Sequence, residues 1–176
     1  MEVKLSRAEV HRSLMLGNDT VFLCRKLGLA PRAEVMGNKG REEQTIIGFK
    51  TEFAVAKAFG LDPPVMSILS DYGVDLWWND ISVDVKSSST GFLIFDTPNH
   101  FKADIAIHTE LVDNNTVKIF GWIEREKFIA ESWNQDFGYG PRKVLTPDKL
   151  RPIETINEDL GFPKSAFALN QNTQTS

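Results

Sequence analysis

Asp75, Asp84 and Lys86 are the residues of this chain whose types and spacing most directly suggest chemistry. Between the two aspartates lies Asn79-Asp80, a composition suited to a two-residue hairpin turn. Such a turn sets Trp78 opposite Ile81, Leu76 opposite Val83, and Asp75 opposite Asp84. Side chains alternate along a strand, so one face of the hairpin shows Val74, Leu76, Trp78, Ile81, Val83 and Val85. The other shows Asp75, Trp77, Ser82, Asp84 and Lys86. Opposed carboxylates repel, and more so under partial cover. A divalent cation reverses the sign of that interaction, because Mg²⁺ takes oxygen ligands and is held by one or two carboxylates plus water.

A third carboxylate belongs to the helical pattern from Arg41 to Phe59, which ends at Gly60. On that helix Glu52 shares a stripe with Gly48, Val55, Ala56 and Phe59, small and apolar residues that should face the protein. A glutamate there is either paired or a ligand. Gly48 costs about 1 kcal/mol relative to alanine inside a helix, which points to close backbone packing near it.

These residues need elements to position them. Residues 6–16 and 20–28 read as two short helices, capped by Ser6 and Asp19 and broken at Gly17-Asn18. Two helices with a tight turn resemble a helix-turn-helix. Residues 33–40 read as a linker. Strands are expected over Gly73–Trp78, Ile81–Ser87, 92–95, 103–109 and 116–123, and a helix over 124–133. The domain expectation is a helical N-terminal extension over 1–40, an α/β domain over 41–165 and a flexible tail over 166–176.

Composition narrows the classes. With 41% hydrophobic and 25% charged residues, the chain reads as an ordinary soluble domain without a membrane span or signal peptide. Cys24, the single cysteine, excludes an internal disulfide framework and suits a cytoplasmic setting. A net charge of −4 argues against coating nucleic acid by bulk attraction. The charge is uneven, +3 over residues 1–60 and −7 beyond, so a local basic surface can still meet phosphates.

The order helical Glu52 in Gly48-Phe-Lys-Thr-Glu52, strand Asp75, then Asp84-Val85-Lys86 resembles the PD-(D/E)XK nuclease superfamily. The proline of that name is absent, since Val74 precedes Asp75. Asp71-Tyr-Gly-Val-Asp75, Ala103-Asp104, Gly121-Trp122-Ile123 and Leu150-Arg-Pro-Ile153 are similar to a group of uncharacterised phage-encoded proteins placed near that superfamily. The resemblance implies a central mixed sheet flanked by helices. It also implies a metal-dependent nuclease acting on DNA, an endonuclease of phage DNA metabolism working in the host cytoplasm.

Under it, Glu52, Asp75, Asp84 and the Val85 carbonyl hold Mg²⁺ or Mn²⁺, and Lys86 orients or deprotonates the attacking water. Asp71 is a loop cap or a further ligand. Trp77 can stack a base or serve packing, and Ser87, Ser88 and Ser89 contact phosphate or form the turn after their strand. Lys39, Arg41 and Lys50 meet backbone phosphates or solvent. His11, His100 and His108 lack ligand spacing and read as structural, while Asp104 reads as a cap or partner within its strand. Many members cut as dimers, so a homodimer is a possible form. The alternatives are a catalytically inactive module of nuclease fold that binds DNA or protein, and a structural or assembly protein of a virus particle.

Overall fold

Helix α2 (Arg41–Phe59) covers the span expected of it and ends before Gly60, which caps it in the left-handed conformation. The structure, a computed structural model, describes residues 1–28, 40–66, 73–138 and 140–161, and of Arg41 the backbone alone. Phe53, Val55, Ala56 and Phe59 of α2 are buried against a sheet. That sheet has five strands in the order β1 (Glu2–Lys4), β6 (Thr116–Glu124), β5 (Ile105–Leu111), β3 (Ile81–Ser87) and β2 (Leu76–Trp78). β3 and β5 run parallel and the other neighbours antiparallel, which makes the sheet mixed. The chain is therefore an α+β protein with a mixed sheet and helices.

The hairpin register is the one the turn implies. Leu76 pairs with Val83, Trp77 with Ser82 and Trp78 with Ile81. Asn79 turns the chain with a φ of 52°, in the left-handed region that asparagine tolerates. Leu76, Trp78, Val83 and Val85 join the core under α2, and Ile81 packs against it. Val74 was expected on that same face, but it packs with a second core on the opposite side. Regular strand structure begins only at Leu76, so alternation does not reach back to Val74.

The second core lies over the face that carries Asp84. Its members include Ala106, Ile123, Phe128 of α3 (Arg125–Glu131), and Leu93 and Phe95 of β4 (Leu93–Phe95). β4 heads a three-stranded antiparallel sheet with β8 (Pro141–Leu145) and β7 (Trp133–Asp136). The sequence shows no pattern for β7, because all four of its residues are exposed and period-2 burial is missing.

The N-terminal segment differs from expectation. Ser6 caps as expected: its hydroxyl accepts from the Glu9 N–H, and the Glu9 carboxylate accepts from the Ser6 N–H. Beyond it a single helix, α1 (Arg7–Lys26), runs through Gly17, Asn18 and Asp19. No second helix, no cap at Asp19 and no helix-turn-helix form within residues 6–28. Gly17 serves a different purpose from a break. A Cβ there would stand 2.5 Å from Ile46 Cγ1 and 3.1 Å from Ile46 Cα, so its bare backbone lets α1 lie close on α2. Tertiary packing outweighs the low helix propensity of glycine. β1 adds an edge strand along β6, and Val3 and Leu5 enter the first core. Over the described residues 1–28, β1 joins the main sheet and α1 packs on α2.

The linker expected at 33–40 lies, up to residue 39, outside the described residues, as do Asp71 and the tail over 166–176. A short helix, α4 (Ile156–Asp159), closes the described part. Among the described residues, no helix is long and apolar enough to cross a membrane.

Candidate active site

β3 delivers two of the expected residues to one face. Val83 and Val85 point into the core under α2, so the intervening Asp84 and the following Lys86 face the second core. Asp84 is fully buried, a costly place for a carboxylate unless a cation or donors meet it. The Lys86 ammonium does so, donating to Asp84 Oδ1. The Lys86 side chain is still 35% exposed, and its ammonium sits 5.1 Å from the centre of the Phe95 ring. Lys86 thus joins buried Asp84 to the surface.

Asp75 stands just before β2, where the regular ladder stops. Its N–H donates to the Val83 carbonyl at 2.9 Å. Its side chain then takes over, with Oδ2 accepting the Val85 N–H at 2.6 Å. Burial raises the Asp75 carboxyl well above the usual carboxylate range, and the charges of Glu52 and Asp84 raise it further. Lys86 and the Val85 N–H oppose the rise. The carboxyl is enclosed although part of the residue stays accessible.

Glu52 reaches this cluster from α2, half-buried beside the buried stripe of Val55, Ala56 and Phe59. Among the described residues, the close backbone packing expected at Gly48 is not found. A Cβ there would meet, among these residues, only Glu52 Oε1, at an ordinary contact distance of 3.7 Å. Glu52, Asp84 and Lys86 therefore each lie within electrostatic reach of Asp75.

As a donor set, three carboxylates and a backbone carbonyl suit a hard divalent cation. Among the described residues, however, no three His, Cys, Asp or Glu side chains close on one point as a metal site. Lys86 is on Asp84 Oδ1, and Asp75 Oδ2 is turned to the Val85 N–H. The chemistry fits such an ion, while the side chains as they stand do not enclose one.

The residues expected to meet nucleic acid separate. Trp77 is 63% exposed on the outer strand β2, with its ring available to solvent. Ser87 ends β3 opposite Thr109 and is half-buried. Ser88 belongs to the turn: its N–H bonds the Thr109 carbonyl, and its hydroxyl lies 2.7 Å from Thr90 Oγ1. Lys50 is buried rather than presented to phosphate. Its ammonium donates to the Asn114 carbonyl at 2.9 Å and to Asn114 Oδ1 at 2.8 Å. That partner lies far along the chain, out of reach of a local reading. Lys39 and the side chain of Arg41 lie outside the described residues.

Asp104, Trp122 and Arg151, from three of the segments that carried the phage-protein resemblance, form contacts of the fold. Asp104 Oδ2 accepts from the Ser82 N–H at 2.8 Å and hydroxyl at 2.6 Å, tying the start of β5 to β3. Trp122 and Arg151 exchange backbone hydrogen bonds of 3.1 and 2.9 Å. His11 is exposed, and His100 Nδ1 lies 3.7 Å from Asp96.

One residue read as structural belongs beside this site. His108 is the register partner of Lys86 across the β3–β5 ladder and is fully buried. Its signal in the sequence is phase: Ile105 and Ile107 face α2, which leaves Ala106 and His108 for the Asp84 face. That signal becomes legible only once β5 is known to neighbour β3. No family model, no curated protein and no solved structure matches this chain.

Proposed function

We propose that the chain is a metal-dependent nuclease of the PD-(D/E)XK type that hydrolyses DNA phosphodiester bonds. In this reading Glu52, Asp75, Asp84 and the Val85 carbonyl hold Mg²⁺ or Mn²⁺. The observation that carries it is the convergence of Glu52 and Asp84 on the enclosed carboxyl of Asp75 where β2 and β3 meet, with Lys86 on Asp84. Repelling carboxylates of this kind lower the stability of a fold that has no use for them. The order of elements supports the same reading: a helical glutamate, an aspartate entering a hairpin, and Asp-x-Lys on a strand inside a mixed sheet.

Hydrolysis requires a water oxygen to attack phosphorus, its proton to be removed, and the leaving alkoxide to be protonated. A bound divalent ion would lower the pKa of that water and polarise the phosphate. Lys86, partly exposed and anchored over Phe95, is placed to orient the water or to donate to a phosphoryl oxygen. The Asp75–Val85 hydrogen bond fixes the carboxylate of Asp75 against β3. Trp77, exposed on the neighbouring strand, offers a ring for a base.

The test is thermal unfolding with and without Mg²⁺ or Mn²⁺, together with cleavage assays on single-stranded, duplex and branched DNA. The nuclease reading expects a metal-induced rise in Tm that Asp84→Asn abolishes. No change in Tm and no cleavage of any of the three substrates overturns it.

One observation favours a second reading, an inactive module of nuclease fold that binds DNA or protein. The Lys86 ammonium already neutralises Asp84, and no three ligating side chains close on one point among the described residues. That module would bind its partner equally well with chelator present.

A further inference from the structure

We infer that His108 is a positioning residue of this site: across the ladder from Lys86, it supplies a further acceptor that, through one bridging water, helps to hold the lysine ammonium on the site face. The inference deepens the nuclease reading and rests on it for the role of Lys86.

The geometry comes from three neighbouring strands. β3 and β5 are parallel, with Asp84 opposite Ala106 and Lys86 opposite His108, so these four side chains share a face. Their neighbours agree. Lys86 lies over Phe95 of the second core, and the His108 ring stacks on Phe120, which packs against that same core. The stack, with centroids 4.7 Å apart and planes 20° from parallel, fixes the plane of the imidazole. The Lys118 ammonium is 4.7 Å from the centre of the same Phe120 ring. Lys86 and Asp84 are the charged residues that the adjoining strand β3 contributes to this face.

His108 is 0% exposed, yet neither ring nitrogen has a hydrogen-bond partner within the described residues. Buried polar atoms in that condition are uncommon and call for a role or a bridging water. Burial lowers its pKa to about 4, so near neutral pH one ring nitrogen is an acceptor. An ammonium needs acceptors, and Lys86 carries three N–H donors. Asp84 Oδ1 takes one. The imidazole directly opposite on β5 is placed to take another through a bridging water.

The experiment reads the lysine ammonium and the imidazole by NMR, so it needs neither metal nor DNA. The Lys86 resonance is identified by its loss in Lys86→Met. His108→Phe keeps a ring against Phe120 and removes both nitrogens. It should lower the order of the Lys86 ammonium and speed its hydrogen exchange about 10-fold or more, the scale of one charge-assisted hydrogen bond. His108→Gln, which restores an acceptor, should return the exchange rate toward that of the wild type. Unchanged exchange in a folded His108→Phe protein overturns the proposal. Should that variant not fold, the reciprocal measurement decides: Lys86→Met must move the ring ¹⁵N resonances of His108, and unmoved resonances overturn the proposal. A wild-type protein that cleaves nothing would sink the nuclease reading and leave this bridge standing.

Discussion

Asp75 continues the β2–β3 hairpin with its side chain: Oδ2 accepts the Val85 N–H at 2.6 Å, where the regular ladder has stopped at Leu76 and Val83. The carboxylate therefore has two opposed effects. It satisfies a backbone donor of β3, and it brings a charge against Glu52 and Asp84. Asp75→Asn separates them, since an amide oxygen can still accept from Val85 while the charge is gone. We expect it to stabilise the fold by about 1 kcal/mol at neutral pH in urea unfolding. Asp75→Ala, which leaves the Val85 N–H without its acceptor, should destabilise by roughly 1–3 kcal/mol. A destabilised Asp75→Asn would show that Glu52 and Asp84 do not strain this position.

The central part of this site was legible from sequence because a two-residue turn and strand alternation are local rules. Asn79-Asp80 sets the register, and the register sets Asp84 and Lys86 on one face. What stayed hidden depends on distant partners. Lys50 reads as a surface cation until Asn114 arrives beside it. His108 reads as a scattered histidine until the parallel β3–β5 pairing puts it next to Lys86. Gly17 signals equally a helix break or a close helix crossing, and only Ile46 decides which. Of the second sheet, the sequence shows β4 but not β7, which buries none of its four residues.

Lys86 and a bound cation would compete for Asp84, because the ammonium already occupies Oδ1. Lys86→Met should therefore lower the Tm without metal, as it leaves a buried carboxylate without its ammonium. The Tm gain on adding Mn²⁺ should then exceed that of the wild type. Cleavage should fall by about 10² or more if the lysine acts on the water or phosphate. A Mn²⁺ gain that disappears with the lysine would mean that Lys86 helps to build the ion site instead of competing for it.

His108 makes stability sensitive to mild acid. Its pKa drops from 6.5 to about 4 on folding because burial penalises the imidazolium. Between these values the unfolded chain binds more protons than the folded one. The contribution is complete above pH 6.5 and is lost as pH falls through about 4. Its full size is about 3 kcal/mol at most. Asp75, with a raised carboxyl, acts in the opposite sense in acid, so the difference between wild type and His108→Phe isolates the histidine. That difference in unfolding free energy should change with pH across this window. A constant offset between the two proteins would show that His108 is not buried in its neutral form.

Lys50 allows a structural and a nucleic-acid role to be told apart. Its ammonium is lodged against Asn114, and burial lowers its pKa while Asp113 opposes the shift. Lys50→Met keeps most of the aliphatic stem and removes the donors, leaving the Asn114 oxygens without them. The expected cost is roughly 1–3 kcal/mol of unfolding free energy, with DNA affinity and its salt dependence unchanged. A phosphate contact gives the reverse pattern: unaltered stability, weaker binding to every DNA sequence, and a salt slope reduced by about one unit. Measuring both quantities on the one variant decides between the two roles, because the buried amine cannot serve Asn114 and a phosphate together without opening the contact between α2 and the loop after β5.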